Sequence, residues 1–265
     1  VPLLIARRKP IVTTIHDLIV YRYPGAFDRR WMYLSRLYLQ FINRSDHIIA
    51  QSKSTKRDAV DILGIKPEKI TVVYPGVDDS FQPISEPEVT VEDLSVLMVG
   101  RPQPRKNHSG VAEAVGRLRR RGIDAHLYVV GADDNDIAKL SDEGVNPFIH
   151  GTGYLSDDDL IAYYNAVDVV AIPSFYEGFG FPAAEAMACG TPVVASDRSS
   201  LPEVVGDAGI CVNPDDIGAI ADAVESVLED KSYAAELSET GLKRVERFNW
   251  EQTARETKLV YEKVC

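Results

Sequence analysis

Short apolar runs rich in valine and isoleucine recur along this chain. Each is followed by a stretch in which apolar residues return every three or four positions. Alternation of that kind leaves few architectures open. It predicts a parallel α/β sheet whose faces are covered by helices. In the first part the expected strands are 11–15, 48–51 and 70–74, with helices over 29–42 and 52–63. Ser52 or Ser54 is available to cap the second helix, and Gly64 stands past its end. A second series begins with a strand at 96–99, a loop at 100–107, a helix at 109–121 and a strand at 125–130 closed by Gly131. A short strand from 148, a helix over 157–166 and strands at 169–172 and 193–195 follow. Helices are expected over 217–228, 233–247 and 250–263. The polar, proline-bearing stretch between the two series reads as a linker. The expected domains are therefore 1–75, a linker at 76–93, a second domain at 94–248 and a last helix at 249–265.

Composition narrows the function. The 265 residues are 45% hydrophobic and 26% charged, enough for one large or two modest globular domains. No apolar run approaches the roughly 20 residues that a membrane span needs. The net charge of −11 argues against nucleic acid as the main partner. Cys189, Cys211 and Cys265 are odd in number and far apart. They suggest neither a disulfide framework nor a metal site, and point to a reducing cytoplasm. The start, VPLLIARRKP, does not read as a signal peptide. The helix at 29–44 carries Arg29, Arg30, Arg36 and Arg44 beside Trp31, Leu34, Tyr38 and Phe41. The reading adopted is a core helix with a solvated basic face, and contact with the inner membrane surface is the alternative. Arg119, Arg120 and Arg121 end a helix, where cations suit the dipole.

The stretch SFYEGFGFPAAEAMACGTPVV, from Ser174 to Val194, carries the chemistry. Glu177 lies in a glycine-rich loop, and Glu185 follows eight residues later on a short helix. Pro182 suits the first turn of that helix, and Gly190 the left-handed position past its end. The amides around Gly178–Phe181 face outward at a helix N-terminus, an arrangement that attracts anions. Glu185 is flanked by Ala183, Ala184, Ala186, Met187 and Ala188, with no Lys or Arg in the helix. A carboxylate so placed needs a partner from elsewhere, and a sugar diol would serve. Arg101 and Lys106 lie on a loop after a strand, where ligands bind in open α/β sheets. An arginine fork and a lysine point charge together suit a diphosphate. His16-Asp17 ends the first expected strand.

The block from Glu177 to Glu185 resembles the E-x7-E region of retaining GT-B glycosyltransferases of family 4 (GT4). So do Gly100-Arg101-Pro102-Gln103-Pro104-Arg105-Lys106-Asn107, Gly190-Thr191-Pro192-Val193-Val194-Ala195-Ser196, Leu201 to Gly209, and His16-Asp17. The similarity runs from about Ile11 to the last helix. It implies two Rossmann-like parallel-sheet domains with a nucleotide-sugar donor held mostly by the C-terminal one. By resemblance, Arg101 and Lys106 grip the diphosphate, with Arg105 pointing the other way. Glu177 holds the hydroxyls of the transferred sugar, and Gly178, Phe179, Gly180 and Phe181 supply amides. Glu185 holds the ribose, and Gly131, Tyr154 and Leu155 line the base. His16 contacts the sugar near the reacting carbon.

The resemblance implies a retaining, metal-independent transfer to an acceptor hydroxyl on a glycan, lipid or small molecule. The leaving phosphate accepts the acceptor's proton. No cofactor is expected. The sequence shows no cluster of zinc spacing and is read as lacking an Asp-x-Asp diphosphate clamp. Gly-x-Gly at 178–180 lacks the rest of a dinucleotide fingerprint. Family members begin with further strands and a glycine-rich loop on the acceptor side, so the N-terminal domain is expected to be incomplete. The chain alone is then expected to bind donor but transfer poorly. Two rival readings remain: a donor-binding half that needs a partner chain, and a GT-B nucleotide-sugar epimerase.

Overall fold

A computed structural model describes residues 9–26, 29–140 and 146–264. It divides into two compact units: Val1–Gly76 with Glu177–Phe179 and Phe248–Cys265, and Val77–Tyr176 with Gly180–Arg247. Both hold parallel sheets, as the alternation predicts.

Unit 1 contains strands β1 (Val12–Ile15), β2 (His47–Ala50) and β3 (Ile70–Val72), in the order β1-β2-β3. The register sets Val12 beside His47 and Ile48 beside Ile70. The central strand β2 is buried at every position, which is why its apolar run is continuous rather than alternating. A single turn, α1 (Ile19–Arg22), precedes helices α2 (Arg29–Ile42) and α3 (Lys53–Leu63). Ser52 caps α3, its hydroxyl accepting from the Thr55 amide at 2.9 Å, and Gly64 ends it at φ +65°. Ile15, Leu18, Ile42, Ile48, Ala59 and Ile70 form the core on one side of the sheet. One expectation fails on α2. Leu34 and Tyr38 are 53% and 51% exposed, so their stripe does not face the core. Ile42 does, at 1%. The side chain of Trp31 lies outside the described residues, as does Cys265.

Unit 2 holds six parallel strands: β4 (Ser95–Val99), β5 (His126–Val130), β6 (Ile149–Gly153), β7 (Val169–Ile172), β8 (Val193–Ser196) and β9 (Ile210–Val212). Their order is β6-β5-β4-β7-β8-β9. The chain builds outward from β4 to β6, then returns to β7 on the other side of β4. Strand order therefore reverses between β4 and β7, the point at which open α/β sheets present a crevice at their C-terminal ends. Val96, Leu97, Leu127, Val129, Val169, Val170, Val193 and Val194 are fully buried in this sheet.

Helices α4 (His108–Arg120), α5 (Asp134–Ile137), α6 (Asp157–Ala166), α7 (Phe181–Ala188), α8 (Leu201–Val205), α9 (Ile217–Glu229) and α10 (Lys231–Val245) complete the unit. The turns α1 and α5, helix α8 and strand β9 were not among the expected elements. Each is five residues or shorter, too short for periodicity to register. The polar stretch after Gly76 falls within unit 2. Asn165 accepts from the Ile84 amide at 2.8 Å and donates to the Gln82 carbonyl at 3.1 Å, while the Tyr128 hydroxyl accepts from the Glu92 amide.

The last helix, α11 (Trp250–Val264), belongs to unit 1, where Val260 packs with Ile49 and Val73. No helix of the described residues is long and apolar enough to cross a membrane.

Candidate functional site

Unit 2 gathers eight of the sequence-predicted residues at or near the C-terminal ends of its strands. After β4 the backbone turns at Gly100, at φ +103°, a conformation that favours glycine. Lys106 occupies the space a side chain there would need: an added Cβ would meet its Nζ at 2.5 Å. That ammonium donates to the Val99 carbonyl at 2.9 Å. Arg101 extends into solvent, 74% exposed, with Nε 3.7 Å from Asp136. Arg105 is committed elsewhere. Its guanidinium donates to Gln103 Oε1 at 3.1 Å and to the Tyr176 carbonyl at 3.3 Å, and its own carbonyl accepts from the Phe175 amide at 2.7 Å. It thereby ties the loop after β4 to the loop after β7.

Glu185 stands midway along α7, beside the fully buried Ala183, Ala184 and Ala186. Its partner is neither water nor a cation on its own helix. The buried Tyr164 of α6 donates its hydroxyl to Glu185 Oε2 at 2.8 Å. Burial pushes the Glu185 carboxyl above its ordinary range, while the Tyr164 hydrogen bond and the Lys106 charge pull it back. Helix α7 starts at Gly180, which is left-handed at φ +101° and faces Leu201, with Pro182 in the first turn. Phe181, the first helical residue, is 36% exposed. Gly131 and Gly153 close the ends of β5 and β6. The Gly131 amide donates to the Gly153 carbonyl at 2.7 Å, and Tyr154 beyond it is 95% exposed. Leu155 is half-buried.

Sequence reasoning passed over His108. It is 3% exposed, its Nε2 lies 2.9 Å from the Gly100 carbonyl, and its Nδ1 has no hydrogen-bond partner among the described residues. A carbonyl can only accept, so Nε2 carries a proton. Burial pushes its pKa down to about 4, and Lys106 and Arg105 add to that. It braces the turn from which Arg101 projects. Tyr164 was passed over as well, since nothing local links it to a carboxylate 21 positions away.

The reading that the chain lacks Asp-x-Asp is corrected: Asp134-Asn135-Asp136 and Asp157-Asp158-Asp159 both have that form. They lie in the first turns of α5 and α6, capped by Asp133 and Ser156, where acidic residues suit the helix dipole.

Unit 1 holds the other four residues. His16 follows β1, exposed, with Nδ1 3.1 Å from Gln51 Oε1. Asp17 fastens the turn α1, accepting from the Ile19 amide at 2.9 Å. The tripeptide Glu177–Phe179 packs here. A Cβ added to Gly178 would meet the His16 carbonyl at 2.7 Å, Asp17 Cβ at 2.8 Å and Gln51 Nε2 at 3.0 Å. The Gly178 carbonyl accepts from the Thr55 hydroxyl at 3.2 Å. Phe179 is buried edge-on against Phe248, ring centroids 5.2 Å apart. Glu177 is thus held, half-buried, close in the chain to a glycine lodged against His16. These contacts bring Glu177 and His16 into one neighbourhood that their separation in sequence does not reveal.

Comparison with known proteins accords with this layout. Residues 82–244, more than half the chain, match the family model "Glycosyl transferases group 1", and residues 1–81 match "Glycosyltransferase Family 4". The MMP alpha-(1->4)-mannosyltransferase of Mycolicibacterium hassiacum is 33% identical over 96% of this chain and 65% of its own length. O-antigen chain mannosyltransferase B of Escherichia coli is 29% identical over 95% of the chain and 70% of its own. The chain thus spans about two thirds of the length of these relatives. Sucrose-phosphate synthase from Thermosynechococcus elongatus superposes with a TM-score of 0.79 at 25% identity, over 95% of this chain and 67% of that one. The Anabaena protein HepE, solved with UDP and glucose, superposes with a TM-score of 0.79 at 22% identity, over 96% and 72%. With its two parallel sheets and its match to the family model, this chain belongs to the group 1 glycosyltransferases and has their GT-B fold.

Proposed function

We propose that this chain is a retaining, metal-independent glycosyltransferase that moves a hexosyl residue from a nucleotide-diphosphate sugar to an acceptor hydroxyl. The observation that carries the proposal is in unit 2. A half-buried carboxylate, Glu185, is held by the buried Tyr164 hydroxyl at 2.8 Å, and Lys106 sits on the turn after β4, where strand order reverses, in a chain of this family. Departure of the nucleoside diphosphate builds charge on the leaving phosphate oxygen. Arg101 and Lys106 are the cations that stabilise it. Glu185 accepts hydrogen bonds from the ribose. Glu177 and His16 hold the transferred sugar, with the amides of Gly178, Phe179, Gly180 and Phe181. Gly131, Tyr154 and Leu155 line the base. The bond from the anomeric carbon to the leaving oxygen breaks, the acceptor oxygen bonds to the same face, and its proton passes to the leaving phosphate. The names of the relatives make mannose the first donor sugar to test. Free Cys189 and Cys211 support a reducing, cytoplasmic setting.

The test is donor turnover in the presence of EDTA, with GDP-mannose and UDP-glucose as donors. Proton NMR reads the anomeric configuration of the first product. Turnover that survives chelation and yields the α-anomer from the α-linked donor supports the proposal. A β-product, or activity restored only by a divalent cation, overturns it.

A further inference from the structure

Unit 2 carries the Gly190-Thr191-Pro192-Val193-Val194 motif and, on α6, a tyrosine with no solvent exposure. They meet at Tyr164. Its hydroxyl donates to Glu185 Oε2 at 2.8 Å. Its backbone carbonyl accepts from the Thr191 hydroxyl. Its ring is edge-on to Phe81, centroids 5.9 Å apart at 68°. The backbone and the ring of Tyr164 are thus each held by a separate contact before the phenol reaches the carboxylate.

We propose that Tyr164 is a positioning residue for donor binding: it orients Glu185 and keeps it ionised, so that the carboxylate can accept the ribose hydroxyls. The proposal rests on the reading of Glu185 as the ribose ligand. The chemistry follows from counting donors and acceptors. An ionised carboxylate offers about four lone-pair sites, and the phenol takes one. Oε1 and the remaining site on Oε2 are left for a diol, whose two O–H groups need acceptors. A protonated carboxyl would offer fewer acceptor sites and add a competing donor. Burial favours that protonated form, and a hydrogen bond donated to the charged form opposes it. The phenol is suited to the task because burial and the neighbouring carboxylate hold its own ionisation well above the usual tyrosine range, so it always donates. The other titratable groups acting on Glu185 are Lys106 from the turn before α4 and Asp157 at the start of α6, with Cys189 at the end of α7 itself. Lys106 favours the anion and Asp157 disfavours it. Thr191 gains a role by the same argument, since it fixes the backbone from which the phenol extends.

The experiment is calorimetric titration of the full chain with GDP and with UDP between pH 5 and 8, on wild type, Tyr164→Phe and Glu185→Gln. Glu185→Gln cannot ionise at that position, so its residual pH dependence belongs to the nucleotide phosphate and the rest of the site. The difference from wild type isolates Glu185. In Tyr164→Phe the acid limb of that difference should move up by about one pH unit or more. Affinity should fall progressively more as pH is lowered toward 5, and less than threefold at pH 8. A purely structural role would lower affinity equally at all pH values and leave the limb in place, which overturns the proposal. If Tyr164→Phe does not fold, 3-fluorotyrosine incorporated at position 164 keeps the ring and makes the phenol a stronger donor. The limb should then move to lower pH, and no movement refutes the assignment. Glu185→Gln binding GDP and UDP like wild type would instead sink the ribose reading beneath it, as would wild type binding neither.

Discussion

Gly178→Ala tests how unit 1 holds the Glu177 loop. Gly178 does not have a positive φ, so alanine can adopt its backbone conformation. On the unfolded side the substitution stabilises by about 0.4–1 kcal/mol, through lost chain entropy. Sterics oppose this. The new Cβ would meet the His16 carbonyl at 2.7 Å and Asp17 Cβ at 2.8 Å, both on or next to backbone, and only Gln51 Nε2 at 3.0 Å ends a flexible side chain. Overpacking against a surround that cannot move costs about 1–3 kcal/mol. The net expectation is a loss of about 1.3 kcal/mol from unit 1, the difference between the midpoints of those two ranges. The assay is selective by accident of composition. The chain has two tryptophans, Trp31 and Trp250, and both belong to unit 1. Urea unfolding followed by tryptophan fluorescence therefore reports that unit, and its midpoint should fall. Turnover of nucleotide sugar should fall too, because Glu177 is displaced, while GDP and UDP affinity stay within twofold. An unchanged midpoint, or nucleotide affinity lost in step with turnover, would refute the reasoning. Gly64→Ala is the comparison. Nothing lies within 4 Å of an added Cβ there, and its cost of about 1 kcal/mol comes from the left-handed φ of +65° alone.

Lys106→Met should weaken GDP or UDP binding by about 10- to 150-fold, the loss of one charge-assisted contact. Arg105→Ala, whose guanidinium serves Gln103 and Tyr176, should change it less than threefold, and equal losses in the two variants would refute the division. Glu185→Ala should weaken free nucleotide and nucleotide sugar alike, since both carry ribose, whereas Glu177→Ala should affect only the sugar-bearing donor or turnover. Competition binding with the two ligands separates these cases. His108 is neutral when folded, with a pKa of about 4 against 6.5 when unfolded. The unfolded chain then binds more protons between those values, so stability is full above about pH 6.5 and lost as pH falls toward 4. About two and a half units at 1.36 kcal/mol each is on the order of 3 kcal/mol. Scanning calorimetry should show a shallower acid slope in His108→Gln than in wild type, and parallel slopes would refute this.

The sequence made the alternation of strands and helices legible because β2, β4, β7 and β8 are continuous apolar runs buried on both faces, flanked by glycine, proline and polar breaks. Helices α2 and α6 stand where their periodicity puts them. The three-residue edge strand β9 offered too little to read. On α2 the periodicity found a stripe without revealing that Leu34 and Tyr38 lie on its exposed side. At the site, chemistry borne by single residues was legible: Arg101 and Lys106 as cations, Gly180 and Pro182 at a helix start. Partnership was not. Glu185 was expected to want a diol, yet it already holds Tyr164. The resemblance distinguishes Arg105 from its neighbours, but its partners Gln103 and Tyr176 appear only in the fold.

Unit 1 is assembled from three separate lengths of chain: the N-terminal part up to Gly76, the tripeptide Glu177–Phe179 and the C-terminal part from Phe248. Heredity therefore does not follow the polypeptide. A chimaera spliced at residue 76 would combine one parent's strands and α3 with the other parent's Phe179, Phe248 and α11. Gly178 would then face a foreign His16 carbonyl, and Phe179 a foreign Tyr74. Exchanging unit 1 intact between members of such a family means transplanting all three lengths together, three residues from the middle of the other unit among them. Where recombination has shuffled these genes, the tripeptide and the tail should share the ancestry of the N-terminal part rather than that of the sequence around them.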